Sequence, residues 1–170
     1  MPNLDEPITL SAYQTDWPTR FASEQQRLAA ALHLAPAAIE HIGSTAVPGL
    51  AAKPTLDLML GLPSYPPPAM LMTALEALGY ESLGEAGVPE RHYLRLRTSL
   101  SANLHLVLYN GSHWRNNLAL RDYLRAHPAA CERYVQAKQA ALAGGATSLL
   151  SYSAAKASVV RDLLERALAQ

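Results

Sequence analysis

The sequence predicts an α/β fold: a mixed, partly antiparallel sheet of about four or five strands flanked by helices, with one helix before it and a helical set at the C-terminus. Three observations carry this. Residues 39–60 hold two short apolar runs separated by small turn-forming residues, the pattern of two strands joined by a loop. Arg91–Arg97 alternates, with Leu94 and Leu96 on one face and Arg91, Arg95 and Arg97 on the other, and residues 104–109 read as a further strand. From Trp114 onward the pattern is helical. One domain over residues 1–170 suits this length, with the sheet core over about 36–110 and the C-terminal helices over about 114–169.

In chain order, residues 1–15 form an extended lead-in whose Ile8, Leu10 and Tyr13 lie against the body. Thr15 or Asp16 caps the first helix, Pro18 sits in its first turn, and Phe21, Leu28 and Leu32 give it an apolar face through about His33. The two motif strands follow and end near Leu62. Proline-rich residues 63–68 are a stiff turn into a helix marked by Met70, Leu71, Leu75 and Leu78 and closed by Gly79. That helix leads to a later strand, as in an α/β crossover; residues 80–83 form a short strand, 84–90 a loop and 99–102 a turn. The last helices run over 114–126, stopped at His127-Pro128, over 129–143, stopped at Gly144-Gly145, and from Ser151 or Ser153 to the end. The final two share a spacing, Tyr134-x-x-x-Lys138 and Tyr152-x-x-x-Lys156, which puts each pair on one helix face.

Composition excludes several classes. Fourteen basic and fourteen acidic side chains cancel, and no basic block occurs, so general nucleic-acid binding is not expected. A single cysteine, Cys131, provides neither an internal disulfide nor a thiolate metal cluster. No apolar run reaches the ~18 residues of a membrane span, and the acidic start lacks a signal peptide's apolar core, so a cytoplasmic protein is expected.

Candidate chemistry centres on the loop between the motif strands. Gly43 lets backbone approach a ligand, Ser44 and Thr45 offer hydroxyls and amides to a phosphate, and Lys53 adds a cation near the loop's end. Asp57 follows inside an apolar strand, where a carboxylate is costly unless paired or holding a cation. His41, two residues before Gly43, and His105 in the later strand would complete a His-His-carboxylate metal site with Asp57, a donor set that favours Zn²⁺, Mn²⁺ or Fe²⁺ over Mg²⁺. Arg91 and Arg121, with Lys138 and Lys156, are candidates to hold anionic oxygens. The opposing readings are core histidines, a solvated arginine face, lysine stems packed on tyrosine rings, and an Asp57 that only holds the loop through Lys53 or backbone amides.

Gly43-Ser44, the spacer 45–56 and Asp57-Leu58 resemble the signature of the nucleotidyltransferase superfamily, except that Met59 stands where the second acid belongs. The wording His41-Ile42-Gly43-Ser44-Thr45-Ala46-Val47-Pro48-Gly49-Leu50, then Lys53-Pro54 and the Asp57 strand, is similar to the GrpB-like branch of that fold. Tyr13, Trp17, His105, Arg121 through Arg125, Tyr134 with Lys138 and Tyr152 with Lys156 extend the resemblance over most of the chain. It implies a nucleotidyltransferase-like protein in which Gly43 and Ser44 grip a nucleotide's phosphates and Asp57 holds a divalent metal, Mg²⁺ or Mn²⁺, with Zn²⁺ if histidines ligate. The ligand implied is a nucleotide or nucleotide-containing metabolite. Two alternatives stand beside nucleotidyl transfer: a ligand-binding or regulatory module, of coenzyme A type by the family's fusion to dephospho-coenzyme A kinase, and metal-dependent phosphate chemistry at His41, Asp57 and His105. Met59 favours the regulatory module, since it removes a bridging metal ligand.

Overall fold

The computed structural model describes residues 5–170. Its elements run α1 (Trp17–Leu32), β1 (Ile39–Ile42), β2 (Leu56–Leu62), α2 (Ala69–Ala77), β3 (Glu81–Ser82), β4 (Arg91–Arg97), β5 (Ser101–Leu108), α3 (Ser112–Ala126), α4 (Pro128–Ala143) and α5 (Leu149–Leu168). Short 3-10 turns occur at Pro36–Ala38 and Ser44–Ala46. The strands make one open five-stranded sheet in the order β1-β2-β5-β4-β3. β2 and β5 pair in parallel and the other neighbours pair antiparallel, which is the mixed, partly antiparallel architecture that the sequence predicts.

Register decides what each face carries, because residues paired across strands point the same way. Leu58, Leu60, Leu94, Leu104 and Leu106 share one face, and each is fully buried with Trp17 and Leu28 of α1 and Leu75 of α2 in the main core. Each such leucine contributes about 1.5–3 kcal/mol by leaving water. The opposite face divides. Ile42, Met59 and Val107 are sealed by Trp114 of α3, while Asp57, Asn103, His105, Tyr93 and Arg91 form a polar remainder along β2, β5 and β4. A sheet that is apolar on one side and half polar on the other is the platform for a site.

The C-terminal helices pack over that second face. Val47 and Leu50 of the β1–β2 loop insert among Leu124, Ala130, Tyr134 and Leu163. The described part of the lead-in, residues 5–15, lies along the body as expected, residues 1–4 falling outside the described residues: Ser11 exchanges backbone hydrogen bonds with Ala52, Ile8 is buried with Tyr152 and Ala141, and Tyr13 meets Trp17 edge to face.

Three local readings change. Asp16 occupies the N-cap of α1, but its carboxylate bonds Arg20 and not the helix amides. β5 begins at Ser101, inside the expected turn, because Ala102 finds partners on both sides, Leu56 and Leu96, and is fully buried between them. α5 begins at Leu149, since Ser148 and Ser151 form a capping box there. Glu24 is buried in α1, where Arg27 and the Tyr80 hydroxyl satisfy both its oxygens.

Gly61 lies on the second face, where a β-carbon would sit 2.8 Å from ring atoms of both Trp114 and Tyr109. Gly61→Ala is expected to overpack this contact at a cost of about 1–3 kcal/mol, read as a melting temperature lowered by roughly 2–12 °C. An unchanged melting temperature would mean that Trp114 moves aside freely.

Candidate functional site

A cavity of about 400 Å³ opens between the polar part of the sheet, the β1–β2 loop and the first turns of α5. Of the residues singled out from the sequence, Gly43, Ser44, Thr45, Lys53, Asp57, Arg91, His105, Lys138 and Lys156 all line it; His41 and Arg121 do not.

Asp57 stands on its floor. It pairs across β2–β5 with Asn103, whose amide nitrogen donates to Asp57 Oδ1 at 2.8 Å, and His105 Nε2 lies 3.5 Å from the same oxygen. Burial by itself would raise this carboxyl. The His105 contact, the Asn103 hydrogen bond and the Lys53 charge outweigh it and hold the pKa at about 2, so Asp57 is an anion. A relay stands behind it: Arg97 donates to Asn103 Oδ1 at 2.9 Å and forms a two-point contact with Glu6. Glu6 also faces Lys53 at 3.7 Å and Arg95.

Gly43 has φ +69°, and a β-carbon there would lie 2.7 Å from Asp57 Oδ2. The glycine is therefore required first by its own backbone and by the carboxylate beside it, and not only by a ligand's approach. Ser44 follows at the start of the 3-10 turn.

The cations converge from four elements. Lys138 of α4 is 2% exposed. Its amine donates to Ser44 Oγ at 2.7 Å and to the Ala51 carbonyl at 2.8 Å, and it sits 4.5 Å from the Tyr134 ring centre. Burial, with Lys156 adding, lowers its pKa to about 7. Among the described residues, no carboxylate lies within ion-pair distance of it. Lys156 of α5 bonds the Tyr134 hydroxyl and packs on the Tyr134 and Tyr152 rings, so the two Tyr-x-x-x-Lys pairs meet as one cluster. Burial also lowers Lys53. Arg91 rests on the Tyr93 ring and gives a terminal nitrogen to the Glu85 and Ala86 carbonyls, but its Nε is buried with no hydrogen-bond partner among the described residues. Against these four basic groups the cavity wall carries, among the described residues, one acid, Asp57.

Several expectations need correction. His41 pairs with Leu58, on the opposite face of the sheet from Asp57. It bonds Thr45 Oγ1 at 2.9 Å and stacks on Phe21, so it cannot join Asp57 and His105 at a metal. Thr45 lines the cavity, but its hydroxyl is spent on His41 and the residue is 1% exposed. Arg121 points to β1, where Glu40 and the His41 carbonyl take one nitrogen and Asp122 the others. Arg95 and Arg97 share the face of Arg91 but are consumed by Glu6, Glu81 and Asn103. Met59 is fully buried under Trp114, so the position of a second acid belongs to an apolar cluster. Among the described residues, no group of three His, Cys, Asp or Glu side chains is placed to hold a metal. Asn103 and the Arg97–Glu6 relay were not foreseen; alternation with His105 was the available signal for Asn103.

Fold and site together define a mixed-sheet α/β protein whose C-terminal helices close a cationic cavity over one strand carboxylate. Residues 7–166 match the GrpB protein family, and the chain belongs to that family. A UPF0157 protein of Pseudomonas aeruginosa is 33% identical, over 97% of this chain and 69% of its own length. One from Halalkalibacterium halodurans is 30% identical, over 94% of this chain and 82% of its own. The crystal structure of conserved protein GrpB from Enterococcus faecalis superposes with a TM-score of 0.80 at 32% identity, covering 94% of this chain and 97% of that one. No helix among the described residues is long and apolar enough to cross a membrane.

Burial lowers His41 from its ordinary 6.5 to about 4, so the native state keeps it neutral. Between those pH values the unfolded chain binds more protons, and stability falls as pH falls, by about 3 kcal/mol in total. His41→Gln should flatten this slope between pH 7 and 4.5 in denaturant titrations. Equal acid slopes in both proteins would show that His41 charges in the native state.

Proposed function

We propose that the cavity binds the phosphate groups of a nucleotide or nucleotide-containing metabolite. The observation that carries this reading is the excess of cations around Ser44: Lys53, Arg91, Lys138 and Lys156 face one carboxylate, and the amine of Lys138 is buried without an acid partner. A buried ammonium is costly in isolation, and an incoming anion supplies the missing countercharge. The unpartnered Nε of Arg91 is a second donor that an anionic ligand would satisfy. The resemblance of Gly43-Ser44 and Asp57 to the nucleotidyltransferase signature makes a nucleotide the first class of ligand to test.

The donor set fits one kind of metal and not another. Asp57 is a single ionised carboxylate, 30% exposed toward the cavity. That suits a Mg²⁺ or Mn²⁺ ion delivered on phosphate oxygens, which commonly takes one or two protein carboxylates. It does not suit Zn²⁺, because His41 is out of reach and His105 alone accompanies Asp57. When bound, the ion would neutralise charge on the phosphates beside Asp57. The buried Met59 favours a second reading, a binding or regulatory module that keeps the pocket without nucleotidyl transfer.

ATP and coenzyme A titrated by calorimetry, with and without Mg²⁺ and Mn²⁺, test both readings. At least one of the two should bind, more tightly with metal present, and Asp57→Asn should erase that metal dependence because ligand and ion affinities are reciprocally coupled. Pyrophosphate release from ATP marks an enzyme; binding without release marks the module. No binding of either ligand, with Asp57→Asn matching the parent, defeats the proposal.

A further inference from the structure

Ser44 and Lys138 are engaged with each other and not simply open to a ligand. The Ser44 hydroxyl lies at the cavity wall, 2.7 Å from Lys138 Nζ, and the Ala51 carbonyl holds that amine from a second direction at 2.8 Å. The Tyr134 ring closes a third side. A hydroxyl within hydrogen-bond reach of a base, with the base oriented by another group, is the general arrangement of an activated nucleophile. Gly43, at φ +69°, turns the chain sharply out of β1 just before Ser44 and brings its side chain to the wall beside Asp57.

Resting on the reading of the cavity as a phosphate site, we infer that Ser44 Oγ is a nucleophile toward the phosphorus of a phosphoanhydride bound there and that Lys138 is its general base. The Oγ–P bond forms as the bond from phosphorus to the leaving phosphate oxygen breaks. The hydroxyl proton passes to Nζ and from it to the departing oxygen. Water or an acceptor hydroxyl then gives its proton to Nζ and attacks phosphorus; the Oγ–P bond breaks, and Ser44 recovers a proton from the same amine.

Only the neutral amine can take the proton from Ser44. Burial, with the neighbouring Lys156 adding and Asp57 and Cys131 opposing, lowers Lys138 to about 7. The groups facing the amine are Ser44 from the loop, Tyr134 and Cys131 on α4, Lys156 on α5 and Asp57 on β2. At neutral pH the side chain is therefore divided between its cationic, anion-holding form and its basic form, as a general base working near pH 7 requires.

An alkyl fluorophosphonate tests this on the full chain, since attack by a serine oxygen expels fluoride and leaves a stable adduct. Peptide mass spectrometry should place the adduct on Ser44, and Ser44→Ala should lose it. The labelling rate should rise with pH to a plateau, half-maximal near 7. Lys138→Met should slow labelling by about a hundredfold or more. Should that variant fail to fold, the pH profile of the parent decides. No adduct on Ser44, a rate that climbs without plateau through about pH 9, or a folded Lys138→Met that labels at the parent's rate overturns the inference. Calorimetry with ATP separates the two readings: ATP binding without an adduct leaves the phosphate site standing and removes the nucleophile.

Discussion

Lys138 enters the β1–β2 loop from α4 and spends its amine on Ser44 Oγ and the Ala51 carbonyl. Taking an ammonium out of water costs several kcal/mol unless hydrogen bonds and charge compensate, so the loop must stay where it can provide them. The same loop sends Val47 and Leu50 into the helical cluster around Leu124 and Tyr134, and Ala52 is fixed from outside by Ser11. Three independent contacts thus hold one loop between the sheet and the helices. The position of that loop sets the roof of the cavity, the direction of Ser44 and the closeness of Gly43 to Asp57.

Asp57 answers this constraint from below. Its charge is held by Asn103 and His105, and Asn103 is held in turn by Arg97 and Glu6. The chain as a whole is neutral, yet the cavity is not: Glu6 lies behind the wall in contact with Arg97, Arg95 and Lys53, Glu81 shares Arg95, and the inner cations are left facing Asp57. This local imbalance inside a balanced chain is what the proposed anion site rests on.

The strands, their alternation and the helical C-terminus were legible because each is written in local periodicity. Leu94 and Leu96 face one way and Arg91 and Arg97 the other, as alternation requires, and the loop residues Gly43 and Ser44 sit beside Asp57 as their spacing implies. Register was not legible. His41 shares a strand with Ile42, and only the pairing of Ile42 with Asp57 shows that the histidine faces α1. Arg121 was misplaced for a related reason. Its partner Glu40 lies 81 residues earlier, and nothing in a helical pattern announces a contact at that distance.

Two departures from paired burial meet at the cavity. Over most of the chain, burial and pairing agree: leucines fill the core under α1 and α2, and even the buried Glu24 has both oxygens satisfied. Around the cavity the agreement stops. Gly43 adopts a backbone that few side chains tolerate, and among the described residues the Nε of Arg91 is buried without a partner and the amine of Lys138 without a carboxylate in ion-pair distance. The two buried donors cost stability that apolar substitutions would recover, whereas at Gly43 any side chain would meet Asp57. Their convergence on one 400 Å³ space argues that the space, and not the fold, is what these residues serve. Met59 sharpens the point. A second acid in the place of Met59 would lie beneath Trp114, away from the opening, so the proposals for this cavity rest on Asp57, the lysines and Ser44.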